Sequence, residues 1–408
     1  MSNETETMQA VVYEGPFNIV VKEKPKPQII DETDAILKVH VAGICGSDLH
    51  MYRGHQKTTT GHIMGHEFIG TVENVGSAIS RFKVGQKVMS IFSPMWYALD
   101  LEVLDLLISL TRYIQMANLG TISMNCWFCE HGHTNRCVNG PSFGSMALDG
   151  GQAEYVRVPF ADSTLEFLIE EVPEEMMVIM CDIFPTGYYG AMKAITKLMR
   201  NTDTAESIMG GTLHAPSALR PAFKKITLDQ AVVICLGCGP VGICAILTAK
   251  VLGAGTVYAV DSVDERLAQA QRMGALPLQL GTDDIPEIVR AATGGRGADA
   301  IIESVGNQSA MRLAIDLVRP CGIVSSIGFH QSELPYTGFE AYSKNLESYS
   351  INMGRAAVRP VFGEALKVFV DNQDKFTDFI THRTPLKDAA MGYEIFEKHQ
   401  ARKVILTL

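Results

Sequence analysis

The chain has 408 residues, 47% hydrophobic and 20% charged, enough for two domains with separate cores and ordinary for a globular enzyme. A formal net charge of -10 without a basic run argues against nucleic acid as a partner. The start MSNETET lacks the basic and apolar parts of a secretory leader. The longest apolar stretch, LDLEVLDLLISLTRYIQM, carries Asp100, Glu102, Asp105 and Arg112, which argues against a membrane span. The nine cysteines are odd in number; three cluster at Cys126, Cys129 and Cys137 and the rest are scattered. That pattern is no disulfide framework and fits a reducing compartment, here read as the cytoplasm.

Residues 8–21 and 36–42 read as β, with short alternations and Gly-Pro turns. Next come GICGSDLH, which contains Cys45, and a Gly- and His-rich loop ending in Gly65-His66-Glu67. GTVENVG, VGQKVMS and GGQAEYVRVP add further strands. Asp182 follows in MCDIFPTGYYG. A thiolate, an imidazole and a carboxylate at Cys45, His66 and Asp182 form a set that zinc accepts while a fourth position stays open to substrate.

From about Thr186 apolar strands alternate with helical segments, the signature of βαβ units around a parallel sheet. Gly237-Cys238-Gly239-Pro240-Val241-Gly242 matches G-x-G-x-x-G. It follows the strand AVVICL and opens a helix, and Asp261 closes the next strand nineteen residues after Gly242. That context makes Gly237, Gly239, Pro240, Val241 and Gly242 a pyrophosphate turn at a helix N-terminus. Asp261 would accept bonds from both adenosine ribose hydroxyls and repel a 2′-phosphate, which favours NAD over NADP. An amphipathic helix and a final strand close the chain.

With these pieces in place, the chain resembles the zinc-dependent medium-chain dehydrogenase/reductases, the alcohol dehydrogenase superfamily. GICGSDLH, GHEFIGTVENVG, GGQAEYVRVP, DIFPTGYYG, GCGPVG, VDSVDERL and GRAAVRP carry the resemblance in the family's order. DIFPTG is most similar to the branch of glutathione-independent formaldehyde dehydrogenases and fungal-type zinc alcohol dehydrogenases. The resemblance implies an α/β chain: a GroES-like β-rich catalytic domain over 1–185, a Rossmann doubly wound parallel-sheet domain over 186–346, and a return to the catalytic domain over 347–408.

It also implies roles. Cys45, His66 and Asp182 would hold the catalytic zinc, with Glu67 as an acidic neighbour of the metal. Ser47 would stand next to substrate and His50 at the far end of a proton relay, where an imidazole pKa near ~6.5 suits the task. Arg266 would lie near the adenosine ribose, and Arg359 on the cofactor diphosphate. The cofactors would be zinc and NAD, the substrate a small alcohol or aldehyde, and the assembly a homo-oligomer, dimer or tetramer. Zinc-free quinone or enoyl reductases share this fold, and an inert or mis-spliced homologue is a further alternative. The intact ligand trio argues against the first, and the trio with the fingerprint against loss of catalysis.

The family's structural zinc site follows C-x2-C-x2-C-x7-C. Cys126, Cys129 and Cys137 supply the last three positions, and Ser123 occupies the first. Just upstream, Pro94 to Ile122 matches nothing in the family; two readings are open, a real lobe extension and a translated intron, of which the second is favoured. A second extra stretch, 192–229, reads as a polar, turn-rich surface loop.

Overall fold

The computed structural model describes residues 6–56, 58–91, 122–210, 227–346 and 351–408, with backbone alone over 200–210. All of the insert except Ile122 therefore lies outside the described residues. Contacts divide the chain into two units, Met1–Pro185 with Ala357–Leu408, and Thr186–Ala356. Among the described residues, no helix is long and apolar enough to cross a membrane.

The first unit is β-rich. Strands β1 (Thr7–Tyr13) and β2 (Ile19–Pro25) pair as a hairpin. A larger sheet uses β3 (Ala35–Ile44), β4 (Phe68–Val75), β5 (Lys87–Ser90), β6 (Tyr155–Val158), β7 (Leu165–Phe167), β14 (His382–Pro385) and β15 (Val404–Thr407). Its order is β14-β15-β3-β4-β5-β7, with β6 also on β3. The sequence AILKVHVAGI of β3 is nearly all buried, because it lies at the middle of the sheet. The last strand pairs antiparallel with it, Val404 opposite Ile44. Residues from the two ends of the chain thus meet beside Cys45. On the other flank Phe184 packs against Phe369 and Phe376, with ring centroids 5.1 and 5.7 Å away. This aromatic cluster fixes the segment that bears Asp182.

The second unit holds β8 (Val232–Leu236), β9 (Thr256–Asp261), β10 (Leu276–Gln279), β11 (Ala298–Glu303), β12 (Val318–Ser326) and β13 (Ile351–Met353). All pair in parallel, in the order β10-β9-β8-β11-β12-β13. β8 and β11 are buried throughout, as strands covered on both faces must be. The order reverses between β8 and β11, and the crevice outside their carboxyl ends is where doubly wound sheets bind ligands. β13 pairs with β12, so residues beyond 346 still belong to this sheet.

The 192–229 stretch departs from its reading as a loop. Helix Ile183–Gly210 runs through its first half. NTDTAESIM contains no Gly or Pro, and its Ala, Glu and Met favour helix, so local propensity outweighs polarity here. Residues 211–226 lie outside the described residues.

The buried Asp299 anchors the entry to this sheet. It accepts from Val232 N at 2.9 Å, Arg319 Nε at 2.7 Å and Arg296 at 3.1 Å. Burial alone would raise its pKa, but these donors outweigh it and hold the carboxyl below its ordinary value. A depressed folded pKa gives stability that is present above the unfolded value, near ~3.9, and is lost as pH falls through the folded one. Asp299→Asn should lower the thermal midpoint at pH 7 by roughly 3–6 °C. The gap to wild type should close as pH drops below about 4; a gap that stays constant in calorimetry down to acid pH would refute the assignment.

Candidate functional site

One group of ligand-type side chains sits at the carboxyl end of β3. Cys45 follows the strand and precedes helix Gly46–Tyr52, His66 and Glu67 precede β4, and Asp182 lies between helix Glu174–Cys181 and helix Ile183–Gly210. Their donor atoms lie within 4.8 Å of one another and all four residues are buried. Cys45 Sγ is 3.4 Å from Asp182 Oδ2, and His66 Nε2 is 3.5 Å from the same oxygen. The neighbouring Cys181 instead points at the carbonyl of Phe68, 3.6 Å away. Asp182, not Cys181, therefore completes the group.

The donor set fits a divalent cation. Burial pushes the Cys45 thiol up, and the nearby Glu67 and Asp182 push it further. Burial would pull the His66 imidazole down, but Asp48, Asp182 and Cys45 override this and hold it protonated well above its ordinary value. A thiol and two carboxylates at this spacing repel one another once ionised, and a cation removes the conflict. Glu67 Oε1 is buried with no hydrogen-bond partner. Its Oε2 pairs with Lys403 Nζ, and both side chains are 0% exposed. Lys403 also donates to the carbonyl of Ile44 at 3.1 Å. Gly43 makes room for this pair, since a Cβ there would sit 2.0 Å from Glu67 Oε2.

Asp48 was not singled out from the sequence, although it lies inside GICGSDLH. One of its oxygens accepts from the backbone N of Cys45 at 2.9 Å, and the other is 3.3 Å from His66 Nδ1. It thereby fixes the ring so that Nε2 faces Cys45 and Asp182, the arrangement that tunes metal-binding histidines. Lys403 was also missed, and nothing in its local sequence marks it. Ser47 is placed at the group, its Oγ 3.3 Å from His66 Nε2. His50 lies three residues further along the same short helix. Burial first, then Arg53 and His55, push His50 down to about 4, well below the value near ~6.5 that the sequence suggested. This shift favours the neutral imidazole at neutral pH.

In the second unit the fingerprint forms the turn after β8. Helix Pro240–Val251 starts at Gly239 without a capping side chain, and Pro240 occupies its first turn, so first-turn N–H groups are open to an anion. Asp261, at the end of β9, accepts from Cys238 N at 2.7 Å and from Val263 N at 3.0 Å. Arg266 lies 3.8 Å from the same carboxylate. Gly237, Gly239, Pro240, Val241, Gly242, Asp261 and Arg266 are thus brought to one edge. Arg359 opens helix Val358–Val370 in the first unit, where its observed partner is Glu166.

The second thiol group is Cys126, Cys129 and Cys137, all buried. Ser123 Oγ lies 3.4 Å from Cys137 Sγ, and Ser123 N donates to that sulfur at 3.3 Å. A serine hydroxyl therefore stands where a fourth thiolate would complete the set. His131 and His133 do not replace it. The His131 ring stacks on Trp127 with centroids 4.2 Å apart and bonds the Trp127 carbonyl, and His133 is exposed. Three thiolates and a hydroxyl fit a structural zinc incompletely.

The chain is similar to known proteins. Residues 31–101 match the alcohol dehydrogenase GroES-like domain and residues 240–371 the zinc-binding dehydrogenase domain; the first match runs through 94–101, so the start of the insert does align with the family, contrary to the reading from sequence. The chain is 38% identical to zinc-type alcohol dehydrogenase B of Aspergillus flavus over 410 residues, covering 99% of this chain and 82% of that protein. It is 38% identical to the medium chain reductase/dehydrogenase ucsI of Acremonium sp over 339 residues, covering 82% of this chain and 98% of that one. Among solved structures, alcohol dehydrogenase TADH from Thermus sp. ATN1 superposes with a TM-score of 0.76 at 30% identity, covering 98% of this chain and 99% of that one.

Two outcomes follow from this geometry. Lys403→Met leaves the Glu67 carboxylate buried and unpaired, a loss of about 3–5 kcal/mol for pairs of this kind. The thermal midpoint should fall by roughly 10 °C, and Lys403→Met with Glu67→Gln should recover most of it; a single variant as stable as wild type would show that the pair is not ionised. For the lobe, zinc analysis after mild chelation should find about one ion per subunit, counting complete ligand sets only. Ser123→Cys should retain about two, and wild-type protein that already keeps two would mean that the hydroxyl suffices.

Proposed function

The chain belongs to the zinc-dependent medium-chain dehydrogenase/reductase superfamily, and from that premise we propose that it exchanges a hydride between an alcohol, or its carbonyl partner, and NAD. The observation that carries this reading is the buried group Cys45, His66, Glu67 and Asp182, with a hydroxyl at its edge. Cys45, His66 and Asp182 are the residues that would hold zinc. Glu67 has one oxygen held by Lys403 and the other free to approach the ion. When bound, zinc supplies Lewis acidity toward the substrate oxygen, and NAD supplies the hydride acceptor.

The chain's own residues do the rest. Asp48 keeps the His66 ring in place through Nδ1. Lys403 offsets part of the negative charge around the ligands, so that the two anionic ligands Cys45 and Asp182 do not stand with a third unpaired anion. Ser47 Oγ, 3.3 Å from His66 Nε2, would accept the alcohol's proton while passing on its own. His50 would be the far end of the proton relay, and burial with Arg53 and His55 lowers its pKa to about 4, which favours its neutral, proton-accepting form. In the second unit the first turn of helix Pro240–Val251 would receive the pyrophosphate, and Asp261 the adenosine ribose. Arg266 and Arg359 are further candidates for cofactor contacts. The DIFPTG form supports small primary alcohols and aldehyde hydrates as the first substrates to try.

The test is a panel of alcohols with NAD and with NADP, following reduced cofactor, on protein of measured zinc content. Turnover with NAD is expected. Asp182→Asn should release zinc and lower kcat/KM at least a hundredfold, roughly what disrupted zinc sites lose. If that variant keeps its zinc and its rate, Asp182 is no ligand and Glu67 takes its place; a wild type that prefers NADP would overturn the role of Asp261.

A further inference from the structure

The second unit contains a polar group that the mechanism above does not use. Glu303 ends β11 on one side of the crevice where the strand order reverses, and it is 0% exposed. Its Oε1 accepts from Val305 N at 2.8 Å and Gly306 N at 2.7 Å. Its Oε2 accepts from Ser326 Oγ at 2.6 Å and lies 2.9 Å from His330 Nε2. Ser326 Oγ and His330 Nε2 are themselves 2.9 Å apart. A carboxylate has about four acceptor positions, and here all are taken by the protein.

The two pairs of bonds act on different loops. Val305 and Gly306 belong to the turn after β11. That turn reaches the fingerprint, because Ser304 Oγ donates to the carbonyl of Gly237 at 3.0 Å. Ser326 ends β12, and His330 lies in the loop that follows it. The two loops are pressed together: a Cβ on Gly328 would lie 2.2 Å from Gly306 N. Backbone bonds from Ile327 and Gly328 to the Glu303 carbonyl, 2.9 and 3.2 Å, hold the start of the second loop without help from His330. The side chain of His330 therefore fixes the loop's continuation, not the fold of the sheet.

We propose that Glu303, Ser326 and His330 form a positioning group that holds both loops at the rim of the crevice in the conformation that binds the dinucleotide, with His330 as the member on which affinity depends. This rests on the reading that NAD binds here. The free energy of ordering the loops is spent on folding, so the cofactor does not have to supply it on binding. His330 is a positioning residue, since its bonds run to Glu303 and Ser326.

Titration of the whole zinc-loaded enzyme with NADH, followed by its fluorescence, tests this alongside KM for NAD and kcat. His330→Leu should weaken NADH and raise KM about tenfold while kcat stays within about twofold, the size expected for one lost charge-assisted bond. His330→Gln keeps a side-chain N–H donor and should restore affinity to within about threefold of wild type. If His330→Leu does not fold, Ser326→Ala carries the test, with an expected loss of about threefold. A folded His330→Leu or Ser326→Ala with a lower melting point but wild-type affinity would overturn the proposal and leave the group a purely structural one. A wild type that binds no NADH at all would instead overturn the cofactor reading, and the proposal with it.

Discussion

The first unit is built around a single electrostatic constraint: Cys45, His66, Glu67 and Asp182 are buried together, and their acidic members cannot all ionise without a compensating cation. Lys403 supplies one positive charge from within the chain. Its delivery depends on topology, because Lys403 immediately precedes β15, and β15 lies antiparallel to β3 with Val404 opposite Ile44. The absence of a side chain at Gly43 lets Glu67 reach it. Asp48 ties the backbone of Cys45 to the His66 ring, so that strand end, helix start and β4 approach are set by one carboxylate. The aromatic cluster around Phe184 then fixes the remaining member, Asp182, from the other side.

This explains what could be read from the chain and what could not. Cys45, His66 and the fingerprint each sit in a short run of glycines and small polar residues whose composition marks a turn, so local sequence exposes them. Asp182 was legible only through its motif, and the orientation of Cys181 toward the Phe68 carbonyl supports the choice between the two neighbours. Asp48 lay in plain view within GICGSDLH, yet its function is to bond two other residues, and such a role leaves no mark of its own. Lys403 is 336 residues from Glu67; only strand pairing brings them together. The helix through residue 210 was missed for the opposite reason, because polar composition was taken for loop where propensity favours helix. Ser123 was located through the resembling family's cysteine pattern, and its hydroxyl does lie against Cys137.

Two thiol-containing groups occupy the first unit, and their tolerance to change differs for a physical reason. At the lobe, a metal would act only by cross-linking the chain, and a hydroxyl in place of a thiolate weakens the link by degrees. At Cys45, zinc ligands as proposed above would also set the charge felt by a bound substrate, so a change of one would alter chemistry as well as affinity. The complete set and the incomplete one coexist in this chain in the order that this difference leads one to expect.

The same reasoning separates two buried glutamates that composition would treat alike. Glu67 and Glu303 are both 0% exposed, and each stands at the end of a strand or its approach, next to a loop that carries function. Glu303 has every acceptor position filled by Val305, Gly306, Ser326 and His330, so it has nothing left to offer a ligand and can act only on the shape of its loops. Glu67 has one oxygen tied to Lys403 and one without a partner, inside a group of metal-ligating side chains. An orphaned buried oxygen is costly, and this one is compatible with the acidic neighbour of a bound cation proposed above. Counting the partners of each carboxylate oxygen, rather than noting the residue type, separates a glutamate whose oxygens are all taken by its loops from one that keeps an oxygen unpaired inside a cluster of ligand-type side chains.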